Sequence, residues 1–350
     1  MRSTKVRWGV LGAARIATTK VIPAMRQCRA AEVIAIASRD RERARNVAAE
    51  LGVPRAYGSY EELLADPEVE AIYNPLPNHL HVPWSIRAAE RGKHVLCEKP
   101  IALTAREALT LLDVRNRTGV LIQEAFMIRS HPQWVRAIEM VASGRIGTVR
   151  AVIGAFSYSN EDAANIRNIA EYGGGALMDI GCYLIHTARL VFGREPRRVA
   201  GLLDLDPRFG TDRLASVMLD FGSGHAVGTC GTQMVPYQRV HILGATGRID
   251  IEIPFNAPPA RPCRLFLDGT AIETEACDQY AIQADRFSEA ISSGSRAPYP
   301  LEDSVMNMAV IEAAVRSARE GRWEAPDAVA VPSVPPAPGP TPARDPAPPA

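Results

Sequence analysis

The stretch Lys5-Val-Arg-Trp-Gly-Val-Leu-Gly-Ala-Ala-Arg-Ile-Ala17 decides how this chain folds. Lys5 to Leu11 is a short apolar run of buried-strand length, and Gly12 stops it. From Arg15 to Gln27 apolar residues return with helical spacing, Ile16, Val21, Ile22 and Met25 sharing one side. A strand that turns through glycine into a helix brings unpaired backbone N–H groups to the turn, and these suit a phosphate. Gly12-Ala13-Ala14-Arg15-Ile16-Ala17 stands where G-x-G-x-x-G belongs, with alanine at the second and third glycines. Alanine is the smallest substitute, so a pyrophosphate can still approach the backbone. Gly12, Ala13, Ala14, Arg15 and Ile16 are therefore candidate dinucleotide contacts.

Moving outward, Glu32–Ala37, Ala71–Asn74 and His94–Cys97 read as further short strands. Asp40–Leu51 and Val82–Arg91 read as helices closed by Gly52 and Gly92. Alternating strand and helix predict a parallel sheet covered on both faces, with ligands at the carboxyl ends of its strands. Ser38-Arg39 falls at the tip of the second strand, where a carboxylate would hold a ribose 2′-hydroxyl. A hydroxyl and a guanidinium there favour the 2′-phosphate of NADP, while Asp40 keeps NAD possible.

The pattern changes near residue 147. Val149–Tyr158, Arg198–Asp204, Leu214–Phe221, Ala226–Gln233, Val240–Leu243 and Ile249–Ile253 read as strands separated by turn signals. Their order predicts a large, mostly antiparallel sheet. Helices are predicted over Ala176–Val191, Gln279–Ser292 and Glu302–Glu320. The last 25 residues, from Pro326, hold 10 of the 27 prolines and are expected to be a disordered tail. The expected division is 1–125, 126–325 and the tail 326–350.

Composition narrows the function. With 40 basic and 39 acidic residues, no surplus positive field remains for nucleic acid. No run of 18 apolar residues predicts a membrane span. The opening residues lack a secretory signal, and none of the six cysteines forms a C-x-x-C pair. A cytoplasmic protein without a metal site is the expectation.

Two segments carry the chemistry: Gly92-Lys-His-Val-Leu-Cys-Glu-Lys-Pro100 and Gly173-Gly-Gly-Ala-Leu-Met-Asp-Ile-Gly-Cys-Tyr183. Asp179 and Tyr183 are four apart on a predicted helix and so share a face. Lys99 follows a predicted strand end, where open sheets place their sites. Oxidising an alcohol needs a base for the hydroxyl proton while hydride leaves. A tyrosine titrates near ~10, too high for that task unless a neighbouring ammonium lowers it. Lys99 is the expected ammonium.

With the glycine loop, these segments resemble the Gfo/Idh/MocA oxidoreductases over about residues 5 to 322. The resemblance implies an α/β fold: a Rossmann doubly wound parallel sheet plus an α+β domain with an open-faced, mostly antiparallel sheet. It implies a catalytic lysine at Lys99, a substrate-binding aspartate at Asp179 and an acid/base at Tyr183, where many members carry histidine. It further assigns Leu76, Asn78 and His81 after the fourth strand to the cofactor, with Glu98, Glu124, Arg167 and Tyr280. Arg167 also belongs near the substrate, and His186, a turn beyond Tyr183, is a candidate substrate group. The Lys99-Pro100 bond is expected to be cis. The implied activity is oxidation of the C1 hydroxyl of a D-xylose-like aldose to the lactone. A 1,5-anhydrofructose-type reductase, a trans-dihydrodiol dehydrogenase and a non-catalytic dinucleotide sensor are the alternatives. The open sheet implies a homodimer or homotetramer.

Overall fold

The computed structural model describes residues 5–329. Its first half runs β1 (Val6–Leu11), α1 (Ile22–Met25), β2 (Ala31–Ala37), α2 (Arg41–Leu51), β3 (Arg55–Tyr57) and α3 (Tyr60–Ala65). It continues through β4 (Ala71–Asn74), α4 (His81–Glu90), β5 (His94–Cys97), α5 (Ala105–Thr118) and β6 (Ile122–Glu124). The six strands are parallel in the order β3-β2-β1-β4-β5-β6. Strand order reverses between β1 and β4, which opens a crevice at their carboxyl ends.

The helix expected over Arg15–Gln27 is not uniform. Ala17–Val21 forms a π-turn in which Ile22 N–H reaches back to Ala17 O. Pro23 follows immediately and has no N–H to continue a regular ladder, so the turn widens there. β3, only three residues long, was not predicted, and β6, of the same length, was expected only through Glu124 at its end. α5 carries a legible start, since Thr104 Oγ1 accepts from Glu107 N–H, the first half of a capping box.

The second half adds α6 (Pro132–Ala142), β7 (Val149–Ser159), α7 (Cys182–Phe192), β8 (Arg198–Leu205), β9 (Asp212–Asp220) and β10 (His225–Gly231). β11 (Gln233–Gly244), β12 (Arg248–Ile251), β13 (Cys263–Leu267), β14 (Thr270–Thr274), α8 (Gln279–Ser293) and α9 (Leu301–Glu320) complete it. The eight strands lie in the order β14-β13-β12-β11-β7-β10-β9-β8, antiparallel except for the parallel pair β7 and β10. The predicted strand Ala226–Gln233 is broken at Thr232, where the chain leaves β10 and enters β11. β11 begins seven residues before its predicted start; its first half is exposed and contains Pro236, which argues against a strand. The predicted tail falls, from residue 330 on, outside the described residues.

α7 packs on the inner face of this sheet. Val152 and Phe156 are buried on that face, and a Cβ at Gly154 would press on Leu184. α8 packs on the parallel sheet, where Trp8 Nε1 donates to Ser288 Oγ at 3.0 Å and the Trp8 ring meets Phe287, and α9 bridges the two sheets, lying against β8 of one and α5 and β6 of the other. No described helix is long and apolar enough to cross a membrane.

Candidate active site

The cofactor side begins at Gly12. Its φ is +86°, a backbone state that side chains disfavour, and a Cβ would press on buried Leu76. Thr18 N–H donates to Ala14 O, so the helix starts at Ala14 and the N–H groups of its first turn have no partner within it. Arg15 is exposed, Ile16 and Ala14 half-buried, and Ala13 buried beneath them. Ser38 Oγ accepts from Asp40 N–H at 3.2 Å. Exposed Arg39 lies beside Tyr60 and His79: its charge opposes the burial that pushes the Tyr60 phenol up, and adds to the burial that pushes the His79 imidazole down. Asp40 spends its Oδ1 on the N–H groups of Glu42 and Arg43 as a helix cap. A loop of this shape, with unpaired N–H groups and a nearby guanidinium, fits a dinucleotide.

The chemical centre forms where β5 meets the glycine run. The Lys99-Pro100 bond is cis. Lys99 Nζ donates to Asp179 O at 2.6 Å and to Asp179 Oδ1 at 3.1 Å. Arg167 Nε pairs with Asp179 Oδ2 at 2.8 Å. Burial pulls the Asp179 pKa upward, but Arg167 and Lys99 outweigh it and hold the carboxyl well below the usual carboxylate range. Burial disfavours the Lys99 charge, and Asp179 overcomes it, leaving the ammonium above its ordinary pKa.

The triple glycine explains this convergence. A Cβ at Gly174 would collide with the carbonyl of Arg167, and Gly175 N–H donates to that same carbonyl at 2.8 Å. A Cβ at Gly175, whose φ is +114°, would fall inside the Asp212 carboxylate. Asp212 Oδ2 accepts from Leu177 N–H at 2.6 Å, at the start of the π-turn Leu177–Gly181 that carries Asp179. Asn78 Nδ2 donates to Gly173 O at 2.8 Å, which ties the loop after β4 to the same run.

Several expected residues stand differently. Tyr183 lies under Lys99, with Nζ 5.0 Å from its ring centroid, but its hydroxyl contacts Met127 Sδ at 3.4 Å. Burial pushes this phenol well above its ordinary value, with Tyr280 and Glu98 adding to the effect, so the expected lowering by Lys99 is absent. A π-turn, Leu177–Gly181, carries Asp179 and precedes Tyr183, so the two are not spaced as on a regular helix. His81 was expected at the cofactor. It is buried, and both ring nitrogens face carbonyls, Pro100 O at 2.7 Å and Leu76 O at 2.6 Å, so it braces the two loops. Glu124 is also buried. It accepts from Ile101 N–H at 2.8 Å, and burial pushes its carboxyl up to about 7; it supports the turn behind Lys99 and does not open to the cofactor. His186 is stacked on Phe126 at 4.0 Å and closed to substrate, with burial pushing its imidazole down to about 3. Glu98 remains half-buried at the crevice, accepting from Tyr73 Oη at 2.7 Å, and half-buried Tyr280 lies close enough for Glu98 to raise its phenol beyond the effect of burial.

Three residues were missed. Tyr158 Oη donates to Asp179 Oδ2 at 2.6 Å. Its signal was present in the alternation of β7, which places Val152, Gly154, Phe156 and Tyr158 on one face. Arg43 Nη2 donates to Ala13 O at 3.1 Å, anchoring the glycine loop from α2. A cation in the first turn of a helix opposes the dipole, and that mismatch was the available hint. Asp212 had no sequence signal, because its partner lies 35 residues away.

The chain belongs to the Gfo/Idh/MocA family of oxidoreductases. Residues 6–126 match its NAD-binding Rossmann domain and residues 134–250 the GFO/IDH/MocA C-terminal domain. It is 52% identical over 329 residues to an uncharacterized oxidoreductase of Rhizobium meliloti, covering 91% of this chain and 98% of that one. It is 40% identical over 322 residues to a D-xylose 1-dehydrogenase (NADP(+)) of Haloferax volcanii, covering 90% and 98%. Among solved structures, the 3-ketoreductase KijD10 of Actinomadura kijaniata, in complex with NADP and TDP-benzene, superposes with a TM-score of 0.85 at 31% identity, covering 89% of this chain and 98% of that one.

Proposed function

We propose that this protein is an NADP-dependent sugar dehydrogenase that oxidises the C1 hydroxyl of a D-xylose-like aldose to the lactone. The observation that carries the reading is the half-buried Lys99 paired with buried Asp179 at the end of β5, beside the crevice of a dinucleotide-binding sheet. The 40% identity to a D-xylose 1-dehydrogenase supports the substrate class. In this reading residues 1–125 bind the dinucleotide, and 126–325 bind sugar and form the oligomer.

The bound nicotinamide supplies the hydride acceptor. Gly12, Ala13, Ala14, Arg15 and Ile16 hold its pyrophosphate through backbone N–H groups, and Leu76, Asn78, Glu98 and Tyr280 line the path beyond. Ser38 and Arg39 take the 2′-phosphate, while the capping role of Asp40 removes a competitor for it. Lys99 donates to the reacting oxygen and stabilises the negative charge that develops there. Asp179 and Arg167 orient the sugar hydroxyls. Tyr183 takes the hydroxyl proton as phenolate in the oxidising direction and returns it as phenol in the reducing one, its hydroxyl turning off Met127, whose thioether is a weak acceptor.

One observation favours the reverse direction. A phenol held above its ordinary pKa stays protonated at neutral pH, which suits donation to a forming alkoxide and hence reduction of a sugar ketone.

The test is turnover of aldoses, sugar ketones and dihydrodiols with NAD and NADP, with the product identified. A lactone formed with NADP is the expected result. Tyr183→Phe is expected to lose about 100-fold or more in turnover with little change in cofactor affinity. Absence of turnover with every sugar, alongside tight NADP binding, overturns the reading.

A further inference from the structure

We propose that Tyr158 is a positioning residue that acts through Asp179 to hold Lys99 in place. This rests on the reading of Lys99 as the group that meets the reacting oxygen. The two oxygens of Asp179 have separate partners. Oδ2 accepts from Tyr158 Oη at 2.6 Å and pairs with Arg167 Nε at 2.8 Å, which leaves Oδ1 to Lys99 Nζ at 3.1 Å. Arg167 is a planar fork able to take both oxygens of a carboxylate. Tyr158 and Arg167 Nε share Oδ2, and the Tyr158 bond holds the carboxylate in the orientation that leaves Oδ1 to Lys99. Without its hydroxyl, the carboxylate rotates toward Arg167, and Lys99 keeps only the backbone carbonyl.

The placement is built into the fold. Tyr158 is half-buried at the end of β7, on the face against which the Asp179 segment packs. Burial, and then the Asp179 charge beside it, push its phenol above the ordinary value. It therefore stays a donor throughout the working pH range. Tyr183 cannot substitute, since its hydroxyl points to Met127.

The test is a double-mutant cycle of Tyr158→Phe and Asp179→Asn with two readouts. The first is the rate at which Lys99 is acetylated by acetic anhydride, read by peptide mass spectrometry on the full chain. Either single variant is expected to raise that rate several-fold, and the double variant no further than Asp179→Asn alone. The second is kcat/KM. Tyr158→Phe is expected to lose about 10- to 100-fold, the change expected for a hydrogen bond to a charged group, and under about 2-fold in the Asp179→Asn background. Effects that multiply across the cycle, or a Tyr158→Phe variant with Lys99 as protected as in the parent, overturn the proposal. If the parent turns over no sugar, the proposed function fails while the labelling still decides the role of Tyr158. Should the Phe variant not fold, Tyr158→Met fills the space without a donor and the same cycle applies.

Discussion

Lys99 Nζ bonds both the backbone carbonyl and the carboxylate of Asp179, so one ammonium fixes the π-turn and the charge it carries. The lysine comes from the parallel sheet and the aspartate from the segment packed on the antiparallel one. The pair therefore records how the two halves of the molecule sit together.

Replacing Lys99 tests this centre directly. Lys99→Met keeps the aliphatic stem and removes the charge. Turnover is expected to fall by about 10²- to 10⁴-fold, the range for loss of a charge-stabilising or proton-handling group. Asp179 keeps Arg167 as a partner, so folding is expected to survive. Steady-state kinetics with NADP, beside a thermal melt, separate the two effects. Activity within a few-fold of the parent would remove Lys99 from the chemistry.

The cofactor preference turns on Arg39. It is exposed at the tip of β2, while the carboxylate of the next residue is committed to capping α2. Arg39→Ala is expected to weaken NADP binding about 10-fold or more, in line with loss of a hydrogen bond to a charged group, and to leave NAD nearly unchanged. Fluorescence titration of both nucleotides checks this. Equal losses for the two would show that Arg39 does not meet the 2′-phosphate.

Much of the fold was legible because its signals are local. Gly12 and the strand before it define the crevice, and Gly52 and Gly92 mark the ends of segments whose apolar residues repeat helically. What escaped depends on distant partners. Lys99, Asp179 and Arg167 were chosen from motifs, and the structure brings them together. Neither the π-turn before Tyr183 nor the contact of its hydroxyl with Met127, 56 residues away, was announced by any periodicity. His81, Glu124 and His186 read as site residues because imidazoles and carboxylates near a motif suggest chemistry. Burial against Pro100, Ile101 and Phe126 makes them supports instead.

Asp212 predicts how stability varies with pH. It is buried, and burial pushes its carboxyl up to about 7, while in the unfolded chain it titrates near ~3.9. Between those values the folded state binds more protons than the unfolded one. Its contribution is therefore complete below the unfolded pKa and is lost as pH rises through about 7. Asp212→Asn has no such titration. Its melting temperature is expected to vary less between acid and neutral pH than that of the parent, from a lower starting value set by a weakened bond to Leu177 N–H. Parallel melting curves across that range would show that Asp212 does not titrate there.

The outer face of the eight-stranded sheet predicts self-association. Val227 on β10 stands opposite Met218 on β9 and Ile153 on β7, and all three are exposed. Leu202 on β8 and Val235 on β11 are 73% and 74% exposed. Isolated apolar residues on a surface are ordinary, but a row across three neighbouring strands is a patch of the kind that interfaces cover. A second copy of the same sheet, packed face to face, would bury it with like chemistry. A homodimer or homotetramer is the expected state by light scattering. Placing a charge in the middle of the row with Val227→Glu is expected to shift the population toward monomer while leaving the melt of the isolated fold nearly unchanged. A parent that is monomeric at micromolar concentration, or a Val227→Glu variant with the mass of an oligomeric parent, would mean that this face is not the interface.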